Sequence, residues 1–381
     1  KIARKAGRGI KQRIENEAKP TQAKQTGLFS RRKRLGAHVF SFGGPRISAA
    51  TKPFQSPHNV CHTSGANAVT VLHKPVQWMV ILAFTLIGCT LSGNQSPNAT
   101  SARPDLKSTP SAPSATSQRL AKYYGGLQDD LLASDLLRRD GGGPDTPYTA
   151  STLENNFKQL AFYDEYARGK GFLRSSGKAG RLRRWTRPVR LTTEFGASVS
   201  SANRAKTNDV VTDYVIRLAK ITGHDISISE KKPNFHVFFM GEDDRAQLIS
   251  RVKEIIPNIN RESIAIFENL PRSIHCLVFA FSGRDRRFEY TEAIALIRSE
   301  HPELMQKSCI HEELAQGLGL ANDSPYARPS IFNDDDEFAT LTRQDELFLK
   351  MLYHPTLQPG MSIEAAQPIV QKLAEAFIQK P

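Results

Sequence analysis

The residues whose types and spacing could do chemistry are concentrated in one stretch, residues 309–324, with the sequence CIHEELAQGLGLANDS. Glu312 and Gln316 stand four residues apart and therefore share one face of a helix. Glu313 adds a second carboxylate, and Asn322 follows glycines that can turn the chain. Carboxylate and amide oxygens could hold a divalent cation, and a carboxylate could act as a general base.

The stretch can be aligned with the zincin motif His-Glu-x-x-His, in which two histidines hold zinc and the glutamate acts on water. In a first alignment His311 and Glu312 begin the motif, but Ala315 stands where the second histidine should be. Zinc bound through His311 would then need a remote histidine, such as His275 or His354. Since a lone histidine is more often a structural residue than a ligand, this alignment is not favoured.

A second alignment starts from the end of the stretch, which resembles the longer metzincin pattern. In that pattern a glycine turns the chain after the helix, so that a third histidine returns to the metal. Gly319 takes the place of this glycine, and Glu313 takes the place of the general base. Glu312, Gln316 and Asn322 then stand at the three ligand positions. This alignment keeps both the turn and the base, and it is the one we adopt.

One carboxylate and two amides are a poor ligand set for zinc, which favours Cys and His in proteins. The sequence therefore predicts no cofactor, although a divalent metal is possible. The sequence favours a metal-free polar cluster. In this cluster Glu312, Gln316 and Asn322 would form hydrogen bonds between the helix predicted at 309–320, the motif helix, and the loop at 330–334. The acidic run at 333–337 could bind Ca2+, but its spacing is not that of an EF-hand, and a solvated loop is favoured.

Apolar periodicity predicts the elements that must position this motif helix. A helical N-terminal part is expected at 119–180, and the main domain is expected at 181–381. The predicted helices are 118–140, 150–171 (capped by Ser151 or Thr152), 207–223, 243–256 and 288–301. The predicted strands are 187–196, 225–230, 234–240, 263–268 and 276–283. This mixture predicts an α+β fold, in which helices pack on a mixed sheet.

A C-terminal helix is predicted at 341–355, where Thr342 and Asp345 have the spacing of a capping box. This segment resembles the C-terminal helix that comes after the motif in matrixin-type metzincins. The resemblance implies a zincin-like mixed sheet with a central motif helix and a C-terminal helix. The intervening segment at 328–337 stands where that family has a methionine turn, but it contains no Met.

Nearly all of the net charge of +14 lies in the N-terminal segment. Residues 1–75 hold 15 Lys and Arg and two acidic residues, a net charge of +13, so the rest of the chain carries only +1. A folded nucleic-acid-binding domain would carry its own excess of basic residues. We therefore expect no nucleic-acid partner, and we expect residues 1–75 to be disordered or not part of the mature protein.

A signal sequence and a lipid-attachment site are predicted at 76–89. Lys74 precedes an apolar run at 76–87, which suits a signal-peptide core and is too short to span a bilayer. The run is followed by a glycine and Cys89, an arrangement that resembles the bacterial lipobox, in which the cysteine receives a lipid. The predicted partner of Cys89 is therefore a membrane.

Residues 90–118 are rich in Ser, Thr, Pro and Asn and are expected to form a disordered tether between the lipid and the folded part. Thr90, rather than Asp, comes after the lipidated cysteine. By resemblance to bacterial lipoproteins this favours the outer membrane over the inner one. The expected location is therefore the bacterial cell envelope, on the side that faces the periplasm.

A disulfide between Cys276 and Cys309 is predicted, because setting aside Cys61 and Cys89 leaves these two cysteines in a compartment that oxidises thiols. Cys276 opens a predicted strand and Cys309 opens the motif helix, so the bridge would fix that helix to the sheet. Two separately buried thiols are the alternative.

Residues 119–375 as a whole resemble a bacterial family of periplasmic proteins known as domain of unknown function 2927. The resemblance is carried by DGGGPDTPYT at 140–149, by the motif helix together with the segment up to the predicted C-terminal helix at 309–353, and by PGMS at 359–362. We expect an envelope lipoprotein with a degenerate metallopeptidase-like domain and a non-catalytic binding or structural role, and with an envelope protein or the cell wall as partner. The alternative is a metal-dependent hydrolase, a peptidase or amidase that acts on protein or cell wall.

Overall fold

The computed structural model describes residues 39–42 and 112–379, apart from residues 168 and 334. Its helices are α1 Ala115–Leu132, α2 Ala150–Phe162, α3 Ser201–Thr222, α4 Arg245–Ile255, α5 Arg261–Glu268, α6 Glu303–Gly317, α7 Arg343–Leu352 and α8 Ile363–Gln379. Its strands are β1 Val39–Phe42, β2 Val189–Phe195, β3 Ile226–Ile228, β4 Phe235–Phe239, β5 Cys276–Ser282 and β6 Tyr290–Ile297.

The strands form one mixed sheet in the order β1-β5-β6-β4-β2-β3. The pair β5 and β6 is antiparallel, and the other neighbouring strands are parallel. Side chains of β5 alternate between two apolar clusters, with Val278 in one and Phe279 in the other. Helices α3, α6 and α7 contribute to the first cluster, and α4 and α5 contribute to the second. The predicted α+β architecture with a mixed sheet is thus confirmed.

Two predicted elements were wrong in type. The predicted strand at 263–268 is part of helix α5, whose N-terminal cap Asn260 accepts a hydrogen bond from the backbone N–H of Ser263. The predicted helix at 288–301 contains strand β6, whose residues from Ala293 to Ile297 are all buried. A strand covered on both faces is apolar at every position, so its sequence shows no period of two and cannot be told from a buried helix by pattern.

Several predicted boundaries also shift. Helix α1 begins at Ala115, inside the stretch expected to be the tether. Helix α2 is capped by Thr149 instead of Ser151 or Thr152, and it ends at Phe162, well before residue 171. Helix α8, which contains Pro368, was not predicted. By contrast, the capping box of Thr342 and Asp345 at the start of α7 is confirmed.

Residues 1–111, apart from strand β1, lie outside the described residues, and so do the predictions made for them. These are the basic segment at 1–75, the signal core and lipobox at 76–89 with Cys89, and nearly all of the tether at 90–118. Within the part of the chain that the structure describes, no helix combines the length and apolar character needed to cross a membrane.

The predicted disulfide is present and joins the first residue of β5 to the motif helix α6. The Cα atoms of Cys276 and Cys309 are 5.9 Å apart, and the bridge closes a loop with a sequence separation of 33. Both residues are buried in the apolar cluster on which α6 packs. The bridge therefore fixes the motif helix to the antiparallel pair of strands.

Replacement of both cysteines by alanine should lower the free energy of unfolding by about 3–4 kcal/mol, because an open loop of this length gains conformational freedom in the unfolded chain. The double variant avoids an unpaired thiol. Urea denaturation of the oxidised wild type and of the variant would measure the difference, and reduced wild type should resemble the variant. Equal stability of oxidised and reduced wild type would contradict this prediction.

A buried histidine joins three strands on one side of the sheet. His236 on β4 lies with Nδ1 2.8 Å from Glu194 of β2 and Nε2 3.2 Å from Glu292 of β6. Arg251 of α4 pairs with the second oxygen of Glu194 at 2.7 Å. Burial lowers the pKa of His236, but its hydrogen bonds to both glutamates outweigh burial and raise the pKa above its ordinary value. The imidazolium therefore stabilises the folded chain.

The free energy of unfolding should accordingly fall as the pH rises through the raised pKa of His236. The folded state holds this proton more tightly than the unfolded state, so the contribution is complete below the ordinary pKa of about 6.5 and is lost above the folded pKa. His236→Gln should remove this loss in denaturant titrations from about pH 6 to about pH 9. His224→Gln is the contrasting variant, because burial lowers the pKa of His224. Identical pH profiles for wild type and His236→Gln would contradict the prediction.

Candidate functional site at the end of the motif helix

The motif helix α6 packs against β5 and β6 and ends in a turn with very little space. Trp185 donates its indole N–H to the carbonyl of Gly317 at 2.9 Å. Gly319 has φ +133°, and a Cβ on it would lie 2.4 Å from the carbonyl oxygen of Arg183. Only glycine fits this backbone conformation and this approach. The predicted turn at Gly319 is therefore confirmed.

The four site residues predicted from the motif separate into two groups. Glu313 is fully buried, and Glu312 is half-buried. Neither lines the cleft described below. Gln316 and Asn322 instead form hydrogen bonds to residues that line that cleft. Gln316 bonds to Asp323, and Asn322 bonds to the backbone of Gln159. A role of Glu313 as a base, and of the other three as ligands, stays a prediction.

The histidine at the start of the motif is a structural residue. His311 is buried, and its ring stacks on Tyr214 with centroids 4.0 Å apart. Its Nδ1 accepts a hydrogen bond from the backbone N–H of Leu341 at 3.1 Å. Burial lowers the pKa of His311 to about 3, so the ring is neutral at physiological pH. This imidazole ties the motif helix to the segment that precedes α7.

The other two candidate zinc ligands, His275 and His354, contact different residues. The ring of His275 lies 5.3 Å from Tyr124 and 5.7 Å from His301. His354 Nδ1 is 2.7 Å from the hydroxyl of Thr356. Over residues 39–42 and 112–379, no group of three or more His, Cys, Asp and Glu side chains is arranged to hold a metal ion.

The acidic run at 333–337 contacts arginines. Glu337 accepts hydrogen bonds from Arg328 at 2.5 Å and from Arg138 at 2.9 Å. These contacts lower the pKa of Glu337, with Arg328 the main cause. Glu337 therefore joins this loop to the segment before α2, so at this residue the run forms ion pairs and is not simply solvated.

A cleft of about 950 Å3 lies beside the end of the motif helix. One wall is helix α2, the second is the turn at 323–326 that comes after Gly319, and the third is the first turn of α8. The lining residues are Thr152, Asn155, Asn156, Lys158, Gln159, Tyr163, Asp323, Ser324, Pro325, Tyr326, Ile363, Glu364 and Gln367. Amides, hydroxyls and two tyrosine rings dominate this surface.

The motif residues hold the second wall in place. Gln316, which is fully buried, donates from Nε2 to Asp323 Oδ1 at 3.0 Å. Asn322 donates from Nδ2 to the backbone carbonyl of Gln159 on α2 at 3.1 Å. The backbone N–H of Ser324 donates at 2.9 Å to a backbone carbonyl in the loop that was predicted to meet this cluster. The two amides thus position the cleft and are structural at these contacts.

One set of polar groups in the cleft is satisfied internally. Lys158 Nζ lies 2.8 Å from Glu154 Oε1 and 3.2 Å from Gln367 Oε1. Gln367 Nε2 donates to the same Glu154 oxygen at 2.8 Å. This network joins α2 to α8 and offsets the charge of the lysine in the cleft wall.

A second set of side chains in the cleft lacks such hydrogen bonds within the described residues. Asn156 is 3% exposed, and its Nδ2 has no hydrogen-bond partner among the described residues. Leaving this buried N–H group unpaired costs about 1–3 kcal/mol, and the group is enclosed by protein atoms. The exposed amide of Gln159 likewise makes no hydrogen bond within the described residues, and the ring of Tyr326 is 80% exposed at the rim. Gln159 and Tyr326 are therefore the side chains of this set that a ligand can reach.

This cleft was not predicted from the sequence. The amides Asn155, Asn156 and Gln159 were part of a predicted helix, and only its apolar face was used to place it. A polar face composed of amides instead of charged side chains was the signal that could have drawn attention to it. The partners of that face, the turn at 323–326 and the start of α8, lie far away in sequence, so the cleft itself was not visible in any one segment.

Gln316→Leu should lower the free energy of unfolding by about 1–3 kcal/mol, because it removes the hydrogen bond to Asp323 from a buried position. Thermal and urea denaturation would measure the change. Gln371→Leu is the matched control, since Gln371 is exposed on α8 and bonds only within that helix, to Glu375. If the two variants were equally stable, Gln316 would not hold the cleft wall.

A comparison with protein families gives one match, to the family described as Protein of unknown function (DUF2927), over residues 150–372. This range includes the motif helix and all three walls of the cleft. No curated protein and no solved structure matches the chain.

Proposed function

This chain belongs to the DUF2927 family, and we propose that it is a non-catalytic binding protein of the bacterial cell envelope, with the cleft beside the motif helix as its binding site. One observation carries the proposal. The open cleft contains uncommitted amides and an exposed tyrosine ring, whereas the candidate base Glu313 is fully buried. The surface available to a ligand is thus built for recognition by hydrogen bonds and ring contacts.

The domain is proposed to be zincin-like with a degenerate metal motif. A mixed sheet, a motif helix packed on its antiparallel pair, a turn at Gly319 and a C-terminal helix with a capping box come in the expected order. Gln316 and Asn322, at two of the three ligand positions, use their amides for contacts between protein segments. Such side chains support a wall of the cleft, which is compatible with a binding function that needs no cofactor.

The envelope location rests on the lipobox at Cys89 and gains support from the disulfide. The structure has a disulfide between Cys276 and Cys309. Disulfides form and persist in oxidising compartments and are rare in the reducing cytosol. We propose a lipid anchor at Cys89 that holds the domain at the membrane surface, with the outer membrane favoured. The domain then faces the periplasm, where an envelope protein or the cell wall is within reach.

The proposal is tested by complementation in a bacterium that shows an envelope defect, such as detergent sensitivity, when this protein is lost. Tyr326→Ala should fail to complement, because it removes an exposed ring of the cleft without disturbing the core. Glu313→Gln should complement fully, because the proposal assigns Glu313 no chemical step. Immunoblots and melting temperatures of the purified variants establish that each is present and folded.

The opposite pattern would favour the metal-dependent hydrolase. In that case Glu313→Gln would abolish complementation with a nearly unchanged melting temperature, and Tyr326→Ala would complement. Gln371→Ala, an exposed position on α8 outside the cleft lining, is the control for a substitution without effect.

A further inference from the structure

We infer that the ligand of the cleft is a neutral glycan strand, which its amides bind by hydrogen bonds and which stacks on Tyr326. The inference deepens the proposed function and rests on it. It draws on the side chains that the fold leaves uncommitted, on the charge of the lining and on the elements that form the walls.

The uncommitted polar groups have the bonding capacity that sugar hydroxyls require. The exposed amide of Gln159 presents donors and an acceptor in one plane. A hydroxyl group likewise donates once and accepts, so adjacent hydroxyls of a sugar ring can pair with both sides of one amide. Asn156, three residues before Gln159 on α2, also lines the cleft, but its Nδ2 is enclosed by protein atoms. The deeper of the two is the buried Asn156.

The rim of the cleft supplies an apolar surface of the matching shape. Tyr326 is 80% exposed and comes directly after Pro325, which is also exposed. Tyr163, at the end of α2, adds a second, half-buried ring to the lining. A pyranose ring has a flat face of C–H groups and a periphery of hydroxyls. Such a ring can cover a tyrosine face while its hydroxyls reach polar neighbours, because tyrosine itself combines an apolar body with a polar tip.

The charge of the cleft does not favour an anionic ligand. Its lining has one lysine, Lys158, against two carboxylates, Asp323 and Glu364. Lys158 is already paired with Glu154. Phosphate and nucleic acid are bound by clusters of Arg and Lys, which this lining does not contain. The described charges therefore argue against an anionic ligand.

A peptide is the alternative that also uses amides, and the walls disfavour it. An extended peptide commonly adds to the open edge of a sheet, and a helical peptide needs an apolar groove. The walls here are α2, the turn at 323–326 and the start of α8, so no strand of the described residues lines the cleft. The lining has only two aliphatic side chains, Pro325 and Ile363, for a helical peptide to pack on.

The test is calorimetric titration of the full chain in detergent with the tetrasaccharide of N-acetylglucosamine, with maltotetraose and with tetra-alanine. We expect at least one of the two sugars to bind. We expect Tyr326→Ala and Gln159→Ala to weaken that binding at least about tenfold, a loss of about 1.4 kcal/mol. Gln371→Ala, outside the lining on α8, should bind as the wild type does.

Three results would overturn the inference: binding of neither sugar, binding of tetra-alanine that Tyr326→Ala weakens, or equal sugar affinity in wild type and Tyr326→Ala. The two proposals can fail separately. If Tyr326→Ala loses complementation while neither sugar binds, the glycan is wrong and the binding function stands. If Tyr326→Ala complements and Glu313→Gln does not, the binding function itself is wrong.

Discussion

The rest of the structure depends on the close approach of the chain at the end of the motif helix. A Cβ on Gly317 would lie 2.5 Å from the ring of Phe235, and one on Gly319 would lie 2.4 Å from the carbonyl oxygen of Arg183. The helix end therefore sits directly on the sheet and on the segment that enters it. The free carbonyls at this end are capped from outside the helix by two aromatic side chains, the indole of Trp185 and the hydroxyl of Tyr353. Such caps satisfy groups that a helix cannot satisfy itself.

Because this end is fixed, the residues after it have a defined path. The turn at 323–326 is held by Gln316 from the motif helix and by Asn322 against α2. The loop after it is held by Asp345, which is buried and accepts hydrogen bonds from Ser330 and from the backbone N–H of Ile331. Burial raises the pKa of Asp345. Its hydrogen bonds therefore offset a substantial desolvation cost.

This arrangement relates the motif to the proposed function. In a catalytic zincin the polar side chains of the motif face the substrate. Here His311 binds the backbone at Leu341, Gln316 binds Asp323, and Glu313 is fully enclosed. The neighbouring cleft is lined mainly by side chains of α2 and of the turn at 323–326. The proposed division of labour is therefore a motif helix that positions the binding surface and separate elements that contact the ligand.

Much of the local structure could be predicted from particular residues of the sequence. The spacing of Thr342 and Asp345 predicted the capping box, the glycine at 319 predicted the turn, and the compartment inferred from the lipobox predicted the bridge between Cys276 and Cys309. Each of these depends on a few residues whose chemistry allows one main outcome. The amphipathic helices α3 and α7 were likewise found, because each has one apolar face.

The tertiary structure alone decided the rest. The segments at 263–268 and 288–301 have apolar runs that suit a helix or a strand, and only their burial against the sheet or in it selects one of the two. The cleft is formed by α2, the turn at 323–326 and α8, and hydrogen bonds between distant segments bring these walls together. The sequence by itself determined which side chains can cap, turn or bridge. Which of them are buried and which remain exposed in the cleft depended on packing, because burial is a property of neighbours that are far apart along the chain.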